Sequence, residues 1–171
     1  LPICTKGIGI LSKEDAIAYG VTGPTGRASG FSCDVRKHHP YSAYPYIKFE
    51  EKMGTEGDSF TRWKLRMDEM WESMNIIEQL IDNIPEGDFA VKMKGVIKLP
   101  EGEFYQRVES ARGEFGVYIV SDGKKNPYRV KFRSPGFSNL FTINHIAKGW
   151  KIADLVAIMA TFDLVIPDIH R

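Results

Sequence analysis

From Phe60 onward, apolar residues recur at Phe60, Trp63, Met67, Met70, Met74, Ile77, Ile81 and Ile84, with spacings alternating between three and four. That period draws one apolar seam along a helix, opened by Asp58 or Ser59 as N-cap and stopped by Pro85-Glu86-Gly87. Carried through Ile84 the helix would be about 39 Å long. Trp71 and Leu80 widen the seam, so it is expected to pack against more than one neighbour. Its methionines would also suit an adaptable binding surface, but a core stripe is the expectation. The opposite face carries Arg62, Lys64, Arg66, Asp68, Glu69, Glu72 and Glu78, which reads as solvated or as a subunit contact.

The pattern changes to period two after residue 88. "AVKMKGVIKL" and "EFYQRVES" alternate. "EFGVYIVSDGKKNPYRVKFR" reads as a hairpin turning on Asp122-Gly123 and returning as a strand with Arg129, Lys131 and Arg133 at alternate positions. A second helix is expected from about Asn144 to Met159, with Ile146, Trp150, Ile152, Ala153, Val156, Ala157 and Ile158 apolar. The chain then runs apolar through "MATFDLVIPDIHR", with Asp163 set inside.

Residues 1–57 are less regular. "KGIGILSKEDAIAYGV" reads as a short strand and a short helix, with Ser12 as N-cap and Asp15 at N3. "GVTGPTGRASG" has the glycine density of tight backbone turns. In "CDVRKHHPYSAYPYIKFE", Pro40 and Pro45 argue against helix and for an extended segment. The fold class expected is α+β: long helices plus a small antiparallel sheet.

At 171 residues and 43% hydrophobic, the chain can bury a core. A net charge of +1 argues against nucleic-acid binding by bulk electrostatics. Cys4 and Cys33 form no C-x-x-C pair, so neither a zinc site nor a disulfide framework is indicated. No apolar run approaches the roughly 20 residues of a membrane span. The chain opens on Leu1, which suggests a processed, excised or incomplete segment, and no amphipathic targeting pattern follows it.

Candidate chemistry is sparse. His38, His39, His145 and His170 are scattered, and no catalytic triad follows from them. The glycines at 23, 26 and 30 do not form G-x-G-x-x-G. A metal at His38-His39 competes with a plain surface loop. Asp163 stands out, because a carboxylate in an apolar run must face water or find a partner. Arg171 is a possible partner, and a structural ion pair competes with a functional site.

Five stretches carry a resemblance: "GVTGPTGRASG", "CDVRKHHPYSAY", "GDSFTRWKLRMDEMWESMNIIEQ", "ARGEFGVYIVSDGKKNPYRVKFRSPGF" and "KGWKIADLVAIMATFDLVIPDIHR". Their order resembles the C-terminal half of the quinone-site (49-kDa) subunit of respiratory complex I, related to the catalytic subunit of nickel–iron hydrogenases. The resemblance runs from about Lys6 to Arg171, with Pro85 to Gly102 the least similar part. It implies a hydrogenase-like helical core spanning residues 1–171, incomplete without an N-terminal half. The family keeps a histidine and a tyrosine for the quinone headgroup in that half. A split subunit, with a second chain supplying it, is the expectation here; a fragment is the alternative.

Where hydrogenases end in D-P-C-x-x-C-x-x-[HR], the cysteine positions are Val165 and Asp168 here, and neither supplies a soft thiolate. The resemblance therefore implies no metal or cluster bound by this chain. It implies instead a cavity for quinone (ubiquinone), beside an iron–sulfur cluster held by a neighbouring subunit. Asp163, Val165 and Phe162 are the implied quinone-binding residues. Arg171 is implied as cluster-facing or structural.

The implied activity is proton-pumping NADH:ubiquinone oxidoreduction by the whole complex, with NADH oxidised elsewhere and the isolated chain inactive. Implied partners are the chain with the N-terminal half, the iron–sulfur quinone-module subunit, other peripheral-arm subunits and the membrane arm. Nucleic acid is not among them. The implied location is the matrix side of the mitochondrial inner membrane, with bacterial or plastid equivalents open. The alternatives are a non-catalytic assembly half-domain and the ferredoxin-linked plastid relative. Arg129, Lys131 and Arg133 are read as interface or internal ion-pair residues.

Overall fold

The computed structural model describes residues 2–92, 95 and 97–169. The chain begins with α1 (Pro2–Thr5) and α2 (Lys13–Ala18). Ser12 caps α2 as its sequence suggests, accepting from the Asp15 amide at 3.0 Å. No strand forms over residues 6–10.

The glycine-rich stretch is not a string of turns. It contains α3 (Gly23–Ala28), with all six residues buried. Pro24 sits in its first turn, where a missing N–H costs nothing. Gly23, at φ +72°, lies so close to the β1–β2 turn that a Cβ would come within 2.4 Å of Gly113 Cα. The segment expected to be extended likewise contains α4 (Val35–His38) and a single 3-10 turn at Tyr44–Tyr46. Asp34 caps α4 by accepting from the Arg36 amide at 2.9 Å. Pro40 lies after the helix, and Pro45 is confined to the first turn of the 3-10 segment, both tolerated positions.

Helix α5 (Ser59–Ile81) is the longest, roughly 35 Å. Asp58 is its N-cap and accepts from the Thr61 amide at 2.7 Å. It ends at Ile81, short of Pro85. The face it buries corrects the sequence expectation. Ser59, Thr61, Arg62, Leu65 and Ile76 are buried, whereas Trp71 is 72% and Ile77 59% exposed. The apolar seam thus faces outward along most of α5, while Arg62, Arg66, Glu69 and Glu72 of the nominally polar face turn inward and Lys64 and Glu78 stay exposed.

Arg62 shows how that inversion is stabilised. Its guanidinium is fully buried yet satisfied by Gly9 O (3.0 Å), Gly57 O (2.6 Å), Ser59 Oγ (2.9 Å) and Thr161 Oγ1 (3.1 Å). It also stacks 4.7 Å over the Phe162 ring. Burial pushes its pKa down, while nearby Asp58 opposes that shift. One side chain ties the N-terminal loop, the start of α5 and the helix ahead of Asp163 together.

The sheet follows the period-two pattern. Strand β1 (Gly102–Ser110) pairs antiparallel with β2 (Gly113–Ser121), in register from Gly102↔Ser121 to Ser110↔Gly113. Strand β3 (Arg129–Arg133) pairs with β2 from Gly116↔Arg133 to Val120↔Arg129, giving the order β1-β2-β3. The alternating stretch at 90–99 includes Met93, Lys94 and Val96, outside the described residues, and its described positions form no strand.

The expected second helix is two: α6 (Pro135–Ile146) and α7 (Ile152–Phe162). Gly149 adopts φ +83°, and the Lys151 amide then donates to Asp154 Oδ2 at 3.1 Å to start α7. A last turn, α8 (Ile166–Ile169), follows. The core sits between α2, α6 and α7, built from Leu11, Ala16, Val21, Ile143, Ile146, Ile158 and Phe162. Helices with a three-stranded antiparallel sheet make the chain α+β.

Candidate functional site

Asp163 is the C-cap of α7, in the left-handed conformation at φ +51°. Asp tolerates that region better than β-branched residues do. The turn leaves the last carbonyls of α7 and the Asp163 carboxylate pointing towards two arginines. Arg112, in the β1–β2 turn, donates from Nε to Asp163 O at 2.7 Å and pairs through Nη2 with Asp163 Oδ2 at 3.1 Å. Arg66 of α5 donates to Thr161 O and to Arg62 O. Two cations therefore meet the negative end of a helix.

Arg66 is half-buried, and the desolvation lowers its pKa; the charges of Asp163 and Glu69 partly offset the loss. One turn along α5, Glu69 accepts from Arg27 Nε at 2.8 Å. Arg27 is 2% exposed and also reaches Glu109 of β1 at 2.8 Å and Asp34 at 4.0 Å. Burial works against its charge, but Glu69 and Glu109 outweigh that and raise its pKa. Asp34 is gripped by Arg36 through Nε (2.9 Å) and Nη2 (2.7 Å), a bidentate pair. Glu109 accepts in turn from the Val35 amide at 3.1 Å, and its own amide donates to Tyr41 Oη at 3.1 Å.

The carboxyls respond differently to this burial. Desolvation raises Glu69 and Glu109, with Arg27 only partly countering it. For Asp34 desolvation also acts upward, but the Arg36 hydrogen bonds and charge win and its pKa falls.

Part of this network lines a cleft of about 390 Å³, walled by Arg27, Arg66, Glu69, Met70, Glu109 and Asp163. Asp163 is half exposed at its mouth. Such a cleft can hold a compact group with polar oxygens: arginines to bind them, a solvent-linked carboxylate, and Met70 as an apolar contact.

Of the residues singled out from sequence, Asp163 lies on this cleft. Its partner is Arg112; Arg171 falls outside the described residues. Phe162 is 1% exposed and belongs to the core beneath Arg62, not to the cleft wall. Val165 is half buried, its carbonyl accepting from the Asp168 amide at 3.0 Å. Arg112, Arg66, Arg27, Glu69 and Glu109 went unrecognised as one site. Their sequence separation hides them, and the only signal was Arg27 within a glycine-rich stretch and Arg112 beside a turn glycine.

The Ser-Pro-Gly-Phe segment finds its role here too. The Asp168 carboxylate accepts from Ser134 Oγ and from the Gly136 amide at 3.3 Å, docking the chain end onto the start of α6. A Cβ at Gly136 would lie 2.6 Å from Asp168 Oδ2, so glycine is needed for the approach. Arg133 donates to Glu114 O (2.6 Å) and Gly20 O (3.0 Å), an internal role; Arg129 and Lys131 are exposed.

Among the described residues no group of three or more His, Cys, Asp or Glu could hold a metal ion, and no helix is long and apolar enough to cross a membrane.

Comparison with known proteins is consistent along the chain. The family model described as "Respiratory-chain NADH dehydrogenase, 49 Kd subunit" matches residues 4–98 and 88–171. The chain is 57% identical over 166 residues to the C/D-type polypeptide of the NADH-quinone oxidoreductase of Bacteroides fragilis, covering 97% of this chain and 31% of that protein. It is 50% identical over 167 residues to the D-type polypeptide of the same enzyme in Desulfotalea psychrophila, covering 97% and 45%. Against the D-type polypeptide of Clostridium beijerinckii the identity is 44% over 167 residues, covering 98% and 45%. The chain thus spans 31% to 45% of the length of these relatives.

Proposed function

The chain belongs to the family of the 49-kDa subunit of respiratory-chain NADH dehydrogenase, and on that premise we propose that it forms one wall of the quinone cavity of an NADH:quinone oxidoreductase. The observation that carries the reading is the position of Asp163, solvent-linked at the mouth of the cleft and held by Arg112. The rest of the cavity would come from the part of the subunit outside these residues, and the exposed α5 seam is a surface that such a part would cover.

In the overall step, quinone takes two electrons and two protons and becomes quinol. The two electrons would be supplied one at a time through an iron–sulfur cluster held by a neighbouring subunit. This chain's share is electrostatic: Arg66 orients polar oxygens, Arg112 holds Asp163 in place, and Asp163 relays a proton between solvent and the cleft. Proton pumping would belong to the assembled complex, with the quinone-module and membrane-arm subunits as partners. The relatives named are bacterial and give a mitochondrial setting no support, so we place the complex at a bacterial membrane.

The test is Asp163→Asn in the purified complex. NADH:quinone reductase activity should fall while NADH oxidation by an artificial acceptor upstream of the quinone stays intact. Unchanged quinone reduction would overturn the assignment. An assembled complex lacking NADH:quinone activity with wild-type protein would favour the assembly half-domain instead.

A further inference from the structure

Away from the cleft, a groove of about 940 Å³ runs between the sheet and the start of α6. Tyr105 and Tyr118 face each other across β1 and β2, and Lys131 continues that row on β3. Arg129 stands two residues away on the same face, and Phe137 and Ile169 close the other side. Phe137 is 60% exposed.

The charges of this groove are unevenly satisfied. Arg133 is engaged by Glu114 and Gly20, and the Asp168 carboxylate is held by Ser134 and Gly136. The Tyr105 and Tyr118 hydroxyls donate to Glu114 (3.3 Å) and Glu103 (2.6 Å). Arg129 and Lys131 differ: both are exposed, and among the described residues neither has a carboxylate within ion-pair distance. The groove offers two unmatched cations over an aromatic floor with an apolar end.

Their spacing selects the ligand's form. Residues i and i+2 of a strand lie roughly 6.6–6.8 Å apart on one face, and any extended partner repeats at the same interval. We infer that this groove docks an extended acidic segment of a polypeptide lying outside these 171 residues, with two carboxylates two positions apart set on Arg129 and Lys131 and a neighbouring apolar side chain against Phe137 and Ile169. A nucleic acid would need a basic surplus that a net charge of +1 does not supply. A membrane surface is flat and would not enter a walled groove. The inference uses the functional reading only for its setting, the respiratory complex.

The test places a benzophenone amino acid at Phe137 in the tagged full-length subunit, with photolysis in intact cells before purification. The mapped cross-link should fall on a polypeptide segment outside these residues carrying two acidic residues separated by one. The double variant Arg129→Gln/Lys131→Gln should cut the yield roughly tenfold, and Arg129→Glu/Lys131→Glu at least as much. Changing the two mapped acids to Lys should restore cross-linking to the charge-reversed variant. A cross-link to lipid, to a segment without paired acids, or none at all would overturn the inference, as would yields unmoved by either variant. Co-purification and quinone reductase activity of the same sample report separately on the functional reading, so the two failures are distinguishable.

Discussion

Arg112 holds Asp163 by both of its oxygen-bearing groups, the backbone carbonyl at 2.7 Å and the carboxylate at 3.1 Å. The pair joins the β1–β2 turn to the end of α7, so the position of the carboxylate is set by the sheet as much as by its own helix. Both side chains are partly exposed, and their removal should cost below about 1 kcal/mol of stability. Arg112→Ala should nevertheless lower the quinone-reductase kcat by roughly tenfold, because the carboxylate loses its orientation. Arg112→Lys should recover only part, since one ammonium does not reproduce the two-pronged contact. Steady-state kinetics beside the thermal midpoint of the complex separates the two effects.

Arg27 stands among three carboxylates with almost no solvent access. Arg27→Met should destabilise the subunit by about 3–5 kcal/mol, since it leaves Glu69 and Glu109 buried without their cation. The readout is the amount of assembled complex, and a wild-type level with unchanged thermal midpoint would refute it.

The acids of this cluster should have opposite pH responses. Asp34 has a lowered folded pKa, so its contribution is present above the unfolded value near 3.8 and lost as pH falls. Glu69 and Glu109 are raised, so theirs is full below the unfolded value near 4.5 and lost as pH rises through the folded one. Asp34→Asn should therefore cost more at about pH 5 than at about pH 3, and Glu109→Gln less at about pH 7 than at about pH 5. Unfolding midpoints of both variants across those ranges check the opposite slopes.

Gly23 and Gly113 pack backbone against backbone. Gly23→Ala would add both a clash with a main chain and the strain of φ +72°, and should cost about 3 kcal/mol or more. Gly123→Ala, where a Cβ would meet nothing within 4 Å, carries only the strain of its positive φ and should cost about 1–2 kcal/mol. Comparing their assembled levels isolates the contact.

Met74 and Ile77 lie on the exposed seam of α5. Met74→Glu should change the stability of these 171 residues by within about 0.5 kcal/mol, as for other surface positions. In the complete complex the same change should block assembly, because it would bury a charge without a partner. Normal assembly of the variant would mean that the seam stays solvated.

The hairpin and its third strand, the Ser12 and Asp58 caps and the helical period after Phe60 were legible because local periodicity and capping are properties of neighbouring residues. Asp163 was visible for the same reason, as a charge interrupting an apolar run. Its partner was not: Arg112 lies 51 positions away, and only the approach of a turn to a helix end brings the two together. The break at Gly149 was missed because apolar positions on either side fit one period, whereas a left-handed glycine resets it. The buried face of α5 was beyond the sequence for a deeper reason. Periodicity shows that an apolar stripe exists, but not which surface comes to cover it. Within these residues Arg62 and Arg66 outcompete the stripe, since α7 offers carbonyl and hydroxyl oxygens that satisfy their guanidinium groups. The sequence by itself determined the sheet strands, the α5 period, the Ser12 and Asp58 caps and the family; the tertiary structure alone decided which charges meet, because those contacts join residues that no local pattern connects.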